Sequence, residues 1–304
     1  MANQPASHDE VPIHAVPHEV VATWPTGTFL ENLAIVADGS FVISVHNKGE
    51  LHRLTAARER SIWVSLPGPP AGLVVVRDGV FVAVGEPGKE PGRIFKVGND
   101  GHVEQRLVVP DTLFLNGFTP GPDGYAYAVD SIVGVVIEVD LRQSTSRVVL
   151  HDERLTKCSA EPMLPGANGI KAGDASLYIT NTDRALVLQA PMKPDGGLTG
   201  ELVVVAEHLR GDDLALDLAG NLYITNHIHN TLIRLSPAGH RVAIAGPDQG
   251  MPGSTACAFR PTEPGALYVT TTGGMVMPLN GVVQEAKLVR LDVGESGRSL
   301  PFPL

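Results

Sequence analysis

The chain has 304 residues, with 33 acidic against 23 basic side chains (formal net charge −10), 43% hydrophobic and 18% charged residues. That composition supplies a sizeable core and excludes a disordered or coiled-coil protein. Without a Lys/Arg cluster it also argues against nucleic acid as a partner. No stretch approaches the roughly 20 apolar residues of a membrane span, so the expected partner is a small-molecule substrate, with neither membrane nor nucleic acid.

The start, Met1-Ala-Asn-Gln-Pro-Ala-Ser-His-Asp-Glu, has no basic stretch and no apolar run, so no signal peptide is expected. Only Cys158 and Cys257 occur, which is no disulfide scaffold and fits a reducing cytoplasm. A single bridge between them stays open, as does the oligomeric state.

In chain order, a turn followed by an alternating apolar strand recurs six times: Asp38-Gly39 before FVISV, Asp78-Gly79 before VFVAV, Asp123-Gly124 before YAYAV, Asp174-Ala175 before SLYIT, Ala219-Gly220 before NLYIT and Pro264-Gly265 before ALYVT. The second turn residues are 40, 45, 51, 45 and 45 apart. A strand leads into every turn, a third follows (ELHRL, RIFKV, VIEVD, LVLQA, LIRLS, KLVRL), and most units add a fourth, such as RSIWVSL or ELVVVAE. Four strands per unit of about 45 residues is the pattern of a β-propeller blade. The fold class expected is therefore all-β, a six-bladed propeller forming a single domain over residues 1–304, with residues 1–17 as a flexible tail.

The last unit ends at KLVRLDV without a fourth strand, whereas the N-terminal segment offers an orphan, HEVVATWP. Residues 18–24 are expected to complete the sixth blade and close the ring, removing two open edges. Trp24 and Trp63 fall on outer strands, where packing between blades is their expected role.

A fixed offset before each turn marks the start of the inner strand, facing the channel: Glu31, Ala71, Asn116, Asn168 (where the turn is one residue shorter), Asp212 and Cys257. Carboxylates and carboxamides converging on one axis suit a hard divalent cation, Ca²⁺ above all, with Mg²⁺, Mn²⁺ or Zn²⁺ as alternatives. The competing reading is that Asn116-Gly117 and Asn168-Gly169 make turns and that Asp212 caps a loop. For Cys257 the choice lies between a channel nucleophile and a small buried hydrophobe. Loops after the second strands add His46, Glu86, Ser131, Asn181 and Asn226, with Asp130 and His227 as the stronger candidates for substrate contacts. His227 and His229 have the spacing of a chelating pair, yet no further His or Cys lies nearby to build a zinc site. No nucleophile elbow, phosphate loop or dinucleotide fingerprint occurs.

Glu31 in FLENLAIVADG, Asn116 in FLNGFTPGPDGYAYAVDS, Asn168 in ANGIKAGDASLYITNT, Asp212 in GDDLALDLAGNLYIT and the segment TACAFRPTEPGALYVTTTGG together resemble the senescence-marker-protein/gluconolactonase (regucalcin-like) family of six-bladed propellers. The resemblance spans roughly residues 25–295. It implies one divalent metal, usually calcium, held by Glu31, Asn168 and Asp212. It also implies a substrate contact at Asn116, and a lactone hydrolase in which the ligand Asp212 doubles as general base. The chain departs from the pattern at Asn32-Leu33, where sugar-lactone members carry a Pro-rich stretch, and at Phe114, where an Arg is frequent. Asp213 also stands where relatives often have Gly. Loss of the basic anchor points to a lactone or related ester more apolar than gluconolactone.

The segments ENLA, NGIK, LYITNT, GDDLALD and LYVTTTGG also resemble propellers of natural-product pathways, including hetero-Diels-Alderases. That resemblance implies a metal-independent cyclase that orients its reactant. A non-catalytic ligand-binding propeller is the third reading, since the fold alone implies no activity.

Overall fold

The computed structural model describes residues 12–161 and 163–298. Six four-stranded antiparallel sheets follow one another around an axis. The inner strands are Leu30–Ile35, Pro70–Val76, Leu115–Pro120, Ala167–Ala172, Leu214–Leu216 and Ser254–Phe259. In blades one to five the sheet order equals the chain order, as expected for repeats built from hairpins.

Blade six is closed by the chain's other end: His18–Trp24 pairs antiparallel with Ala286–Asp292, from His18 opposite Leu291 to Trp24 opposite Ala286. Trp24 is 1% exposed and its indole N–H donates to His52 Nδ1 of blade one at 3.0 Å, so the closing strand is fastened to both neighbours. Deleting residues 1–25 exposes the edge of Ala286–Asp292 and empties the Trp24 site. Loss of soluble expression is the expected result, and a soluble truncation with an unchanged melting temperature would show that the ring closes without this strand.

The predicted tail is only partly covered, because residues 1–11 lie outside the described residues. The rest of it is held: Ile13 bridges Ala243, and the His14 and Val16 amides donate to Ala243 and Ile244 carbonyls at 2.8 and 3.0 Å. Residues 13–16 thus cover the outer edge of blade five, which would otherwise present unpaired amides. Cys158 is exposed and Cys257 buried, and both are free thiols.

The core lies between blades rather than within one centre. Apolar faces of adjacent sheets pack in clusters, such as Tyr127, Val129 and Leu150 of blade three against Ile170, Leu177 and Ile179 of blade four. Near the axis, hydroxyls on or just after the second strands of four blades stitch each of them to the next inner strand. Ser44 donates to Ala71 O at 2.7 Å, Ser131 to Ala167 O at 2.5 Å, Thr180 to Asp212 O at 2.6 Å and Thr225 to Thr255 O at 2.5 Å. These bonds fix the height at which each ring residue enters the channel.

Candidate functional site

The inner strands that carry Glu31, Asn116 and Asn168 are bulged at the ring position, with register shifts between Leu30 and Leu33, between Leu115 and Phe118 and between Ala167 and Ile170. A bulge re-aims one side chain out of the pleat, and here it re-aims Glu31, Asn116 and Asn168. The glycines after the two asparagines serve blade contact rather than turns. A Cβ on Gly117 would stand 2.4 Å from Asn168 O, and one on Gly169 would stand 2.6 Å from the Asp213 Cα. The turn reading of the Asn-Gly pairs is thereby corrected: both lie inside inner strands, where the next backbone approaches too closely for any side chain.

Blade six also departs from the expected register. Leu33 pairs with Ile43 but Cys257 with Val269, so its hairpin spans 12 residues where that of blade one spans 10. The residue matching Glu31 is therefore Thr255, whose hydroxyl bonds Leu30 O at 2.6 Å. Cys257 lies two residues further down, packs beside Leu267 and Val269, and bonds Tyr223 O at 3.3 Å. Burial drives its thiol pKa well up, which fits the buried hydrophobe and not the nucleophile.

One cavity of about 580 Å³ opens at the upper end of the channel, and Glu31, Asn116, Asn168, Asp212 and His227 all line it. Asn168 spends both amide hydrogens, on Asp212 Oδ1 and on Thr182 Oγ1, each at 2.9 Å, which leaves its Oδ1 to face the cavity. The second Asp212 oxygen meets His227 Nδ1 at 3.1 Å, while His227 Nε2 meets Thr272 Oγ1 at 3.2 Å. His227 is thus a buttress of Asp212 more than a substrate contact. The carboxylate of Glu31 and the amide of Asn116 have no hydrogen-bond partner among the described residues, so both are free for a ligand.

The electrostatics follow from crowding acids in a dry place. Burial, then the nearby Asp212, push the Glu31 pKa up from 4.5 to about 8. Burial and Asp213 raise Asp212 well above its usual range, and burial lowers His227 to about 4, so its ring is neutral at pH 7. Among the described residues no trio of His, Cys, Asp and Glu is placed to hold a metal alone. An oxygen set would need Asn168 Oδ1 beside Glu31 and Asp212. Two acids and a carbonyl oxygen match a hard cation in donor type, and zinc gains nothing from His227, whose two nitrogens are engaged.

Asp130 does not reach the cavity. It is 0% exposed and accepts four backbone N–H bonds, from Leu113 and Phe114 on Oδ2 and from Ile132 and Val133 on Oδ1, at 2.6–2.8 Å. The substrate-contact reading is corrected accordingly: Asp130 organises two loops, which carry the cavity-lining Phe114 and Ile132. Removing it strands buried donors, so Asp130→Ala is expected to cost about 2–4 kcal/mol of stability, read as a lowered denaturation midpoint in urea. A shift smaller than a tenth of that would mean the loops hold themselves. Asn181 is likewise structural, bonding Arg154 O and Thr156 O at 2.8 and 3.1 Å.

Sequence reasoning did not place the apolar mouth. Phe29 and Phe114 line the cavity together with Ile132, Met163, Ile228 and Val276. Both phenylalanines stand two residues ahead of a ring position, Glu31 and Asn116, so the register itself held the signal. His46 sits between them, its ring 5.6 Å from Phe29 and 6.2 Å from Phe114, and its Nδ1–H donates to Pro70 O at 3.1 Å.

No family model matches the sequence, and no curated protein matches it. Solved structures do match. A luciferin-regenerating enzyme aligns with a TM-score of 0.75 at 14% identity, over 95% of this chain and 100% of that one. Regucalcin from Agrobacterium tumefaciens, described as a calcium-binding protein, gives 0.74 at 16% identity over 96% and 99%. The fold is that of the regucalcin-like propellers. A protein assigned as a gluconolactonase gives 0.69 at 13% identity over 97% and 98%. Each of these likenesses covers 95% or more of this chain. No helix among the described residues is long and apolar enough to cross a membrane.

Proposed function

We propose that this protein is a metal-dependent hydrolase of the gluconolactonase type, which opens an apolar lactone or related ester. The observation that carries the reading is the convergence of Glu31, Asn168 and Asp212 on one cavity, with the Asn168 amide hydrogens spent on Asp212 and Thr182 so that its oxygen faces inward. Glu31, Asn168 and Asp212 would hold the divalent cation, Ca²⁺ by donor type. When bound, such a cation supplies Lewis-acid polarisation of the substrate carbonyl.

The residues of the chain do the rest. Asn168 and His227 clamp one oxygen each of Asp212, fixing the carboxylate that takes the proton of the attacking water. His227, neutral at pH 7, holds position without competing for that proton. Asn116 donates its unspent amide to the ring oxygen or carbonyl of the substrate. Phe29, Phe114, Ile132, Ile228 and Val276 exclude water around the scissile ester and receive its apolar substituent. A panel of hydrophobic lactones, assayed with and without chelator, tests the reading. Turnover abolished by chelator and restored by Ca²⁺ is expected, and chelator-insensitive hydrolysis would remove the cation from it.

The apolar mouth favours one second reading, a metal-independent cyclase that folds a polyene or quinone methide against Phe29 and Phe114. Orientation and the Asn116 hydrogen bond would then carry the catalysis. Cyclisation in the presence of chelator distinguishes it from the hydrolase.

A further inference from the structure

The channel has a second end. On the opposite face of the ring a cavity of about 540 Å³ is walled by the far halves of the inner strands, with Leu33, Leu73, Phe118, Leu216, Ala258 and Phe259 among its lining. Its size is that of a small-molecule site and close to that of the upper cavity. Between the two cavities lies a polar lock that the proposed reaction does not use: Asp213 Oδ2 accepts from Lys171 Nζ at 3.1 Å and from Asn32 Nδ2 at 3.5 Å.

Two cations line this lower funnel, each paired with an acid that stands outside the lining. Lys171 and Arg298 line it, and no carboxylate among the described residues does, in a chain whose net charge is −10. Lys171 is bonded to the buried Asp213 at the inner end. Arg298 stands at the rim, its Nε donating to Asp217 O at 3.4 Å and its guanidinium paired with the exposed Asp174. An apolar wall with a cation at its entrance and a bonded acid at its floor sets both the ligand class and its direction.

We propose that the lower funnel is a second ligand site, for a small amphiphile with an aliphatic tail and a carboxylate head. The tail runs along Leu33, Leu73, Phe118 and Phe259, where its burial drives binding. The head stays at the rim on Arg298, in a charge-assisted hydrogen bond that keeps it partly hydrated. The reverse orientation would desolvate the head and press it against Asp213.

Calorimetric titration of the full chain with decanoate, decanol and decyltrimethylammonium, all below their micellar concentrations, tests the site. Decanoate is expected to bind at one saturable site, at least tenfold more tightly than decyltrimethylammonium. Ala258→Phe, which fills the funnel, should abolish that binding. Arg298→Gln should weaken decanoate at least fivefold and leave decanol unchanged, and this rim variant carries the test if the filled funnel folds poorly. Phe114→Arg, in the upper cavity, should leave decanoate affinity as it was. The proposal is overturned by absence of saturable binding, by equal affinity for the cationic amphiphile, or by Ala258→Phe and Arg298→Gln both binding like the parent. Loss of binding in Phe114→Arg would move the ligand to the upper cavity. Binding seen only after removal of residues 299–304 would assign the funnel to the chain's own end.

Discussion

Titrating Ca²⁺ into chelator-stripped protein is expected to show one site, lost in Glu31→Gln and in Asp212→Asn, and to release protons in a pH-dependent way. Glu31 titrates at about 8 because burial and Asp212 oppose its charge. Below that pH it holds a proton that a cation must displace, so apparent affinity rises roughly tenfold per pH unit toward 8 and levels off above it. Asp212 is raised as well, so the slope below pH 8 is at least that of one proton. Glu31→Gln removes an acid ligand and the Glu31 share of the released protons together. Comparing heats in two buffers of different ionisation enthalpy reads the release directly. A binding isotherm indifferent to both variants would place any cation elsewhere.

Such a result would also explain why acids are gathered here. Burial, with Asp212 and Asp213 nearby, raises the Glu31 pKa, and burial with Asp213 nearby raises that of Asp212, a standing cost in a folded protein unless protons or a cation balance it. Lys171 answers Asp213 alone. The remaining two carboxyl groups have His227 for company, and that ring is neutral near pH 7.

The fold was legible because a propeller repeats: six turns in phase with six alternating strands fix the sheet count, and the orphan HEVVATWP shows where the ring closes. The ring positions were legible only where hairpin lengths agree. In blade six two extra residues between Cys257 and Val269 move the true position to Thr255, a shift that no spacing rule fixed from the other blades could reveal. Asp130 misled for another reason. Its four donors come from residues 113, 114, 132 and 133, two of them from a loop more than fifteen residues away, and side-chain polarity alone does not show that a loop folds back onto a carboxylate. His227 was found as a polar residue near the mouth. Its bond to Asp212 depends on the hairpin geometry of blade five.

Asp212→Ala is expected to lower kcat/KM on a responsive lactone by about 10²–10⁴-fold, the usual worth of a positioned general base, with the fold retained. Two arguments separate that loss from unfolding. The side chain sits among other buried acids, so deleting it relieves repulsion on Glu31. Its backbone remains held by blade four, since Thr180 Oγ1 and the Gly169 amide donate to the Asp212 carbonyl at 2.6 and 2.8 Å. The melting temperature in chelator should therefore hold or rise while turnover collapses. Asp212→Asn tests the proton directly, because it keeps size and hydrogen bonding to Asn168 but cannot accept a proton from water. Equal loss in both variants identifies proton transfer and ligand charge as what Asp212 supplies. Activity surviving in Asp212→Asn would reduce it to a shape element of the cavity and shift the weight to the cyclase, whose chemistry asks for orientation rather than a base.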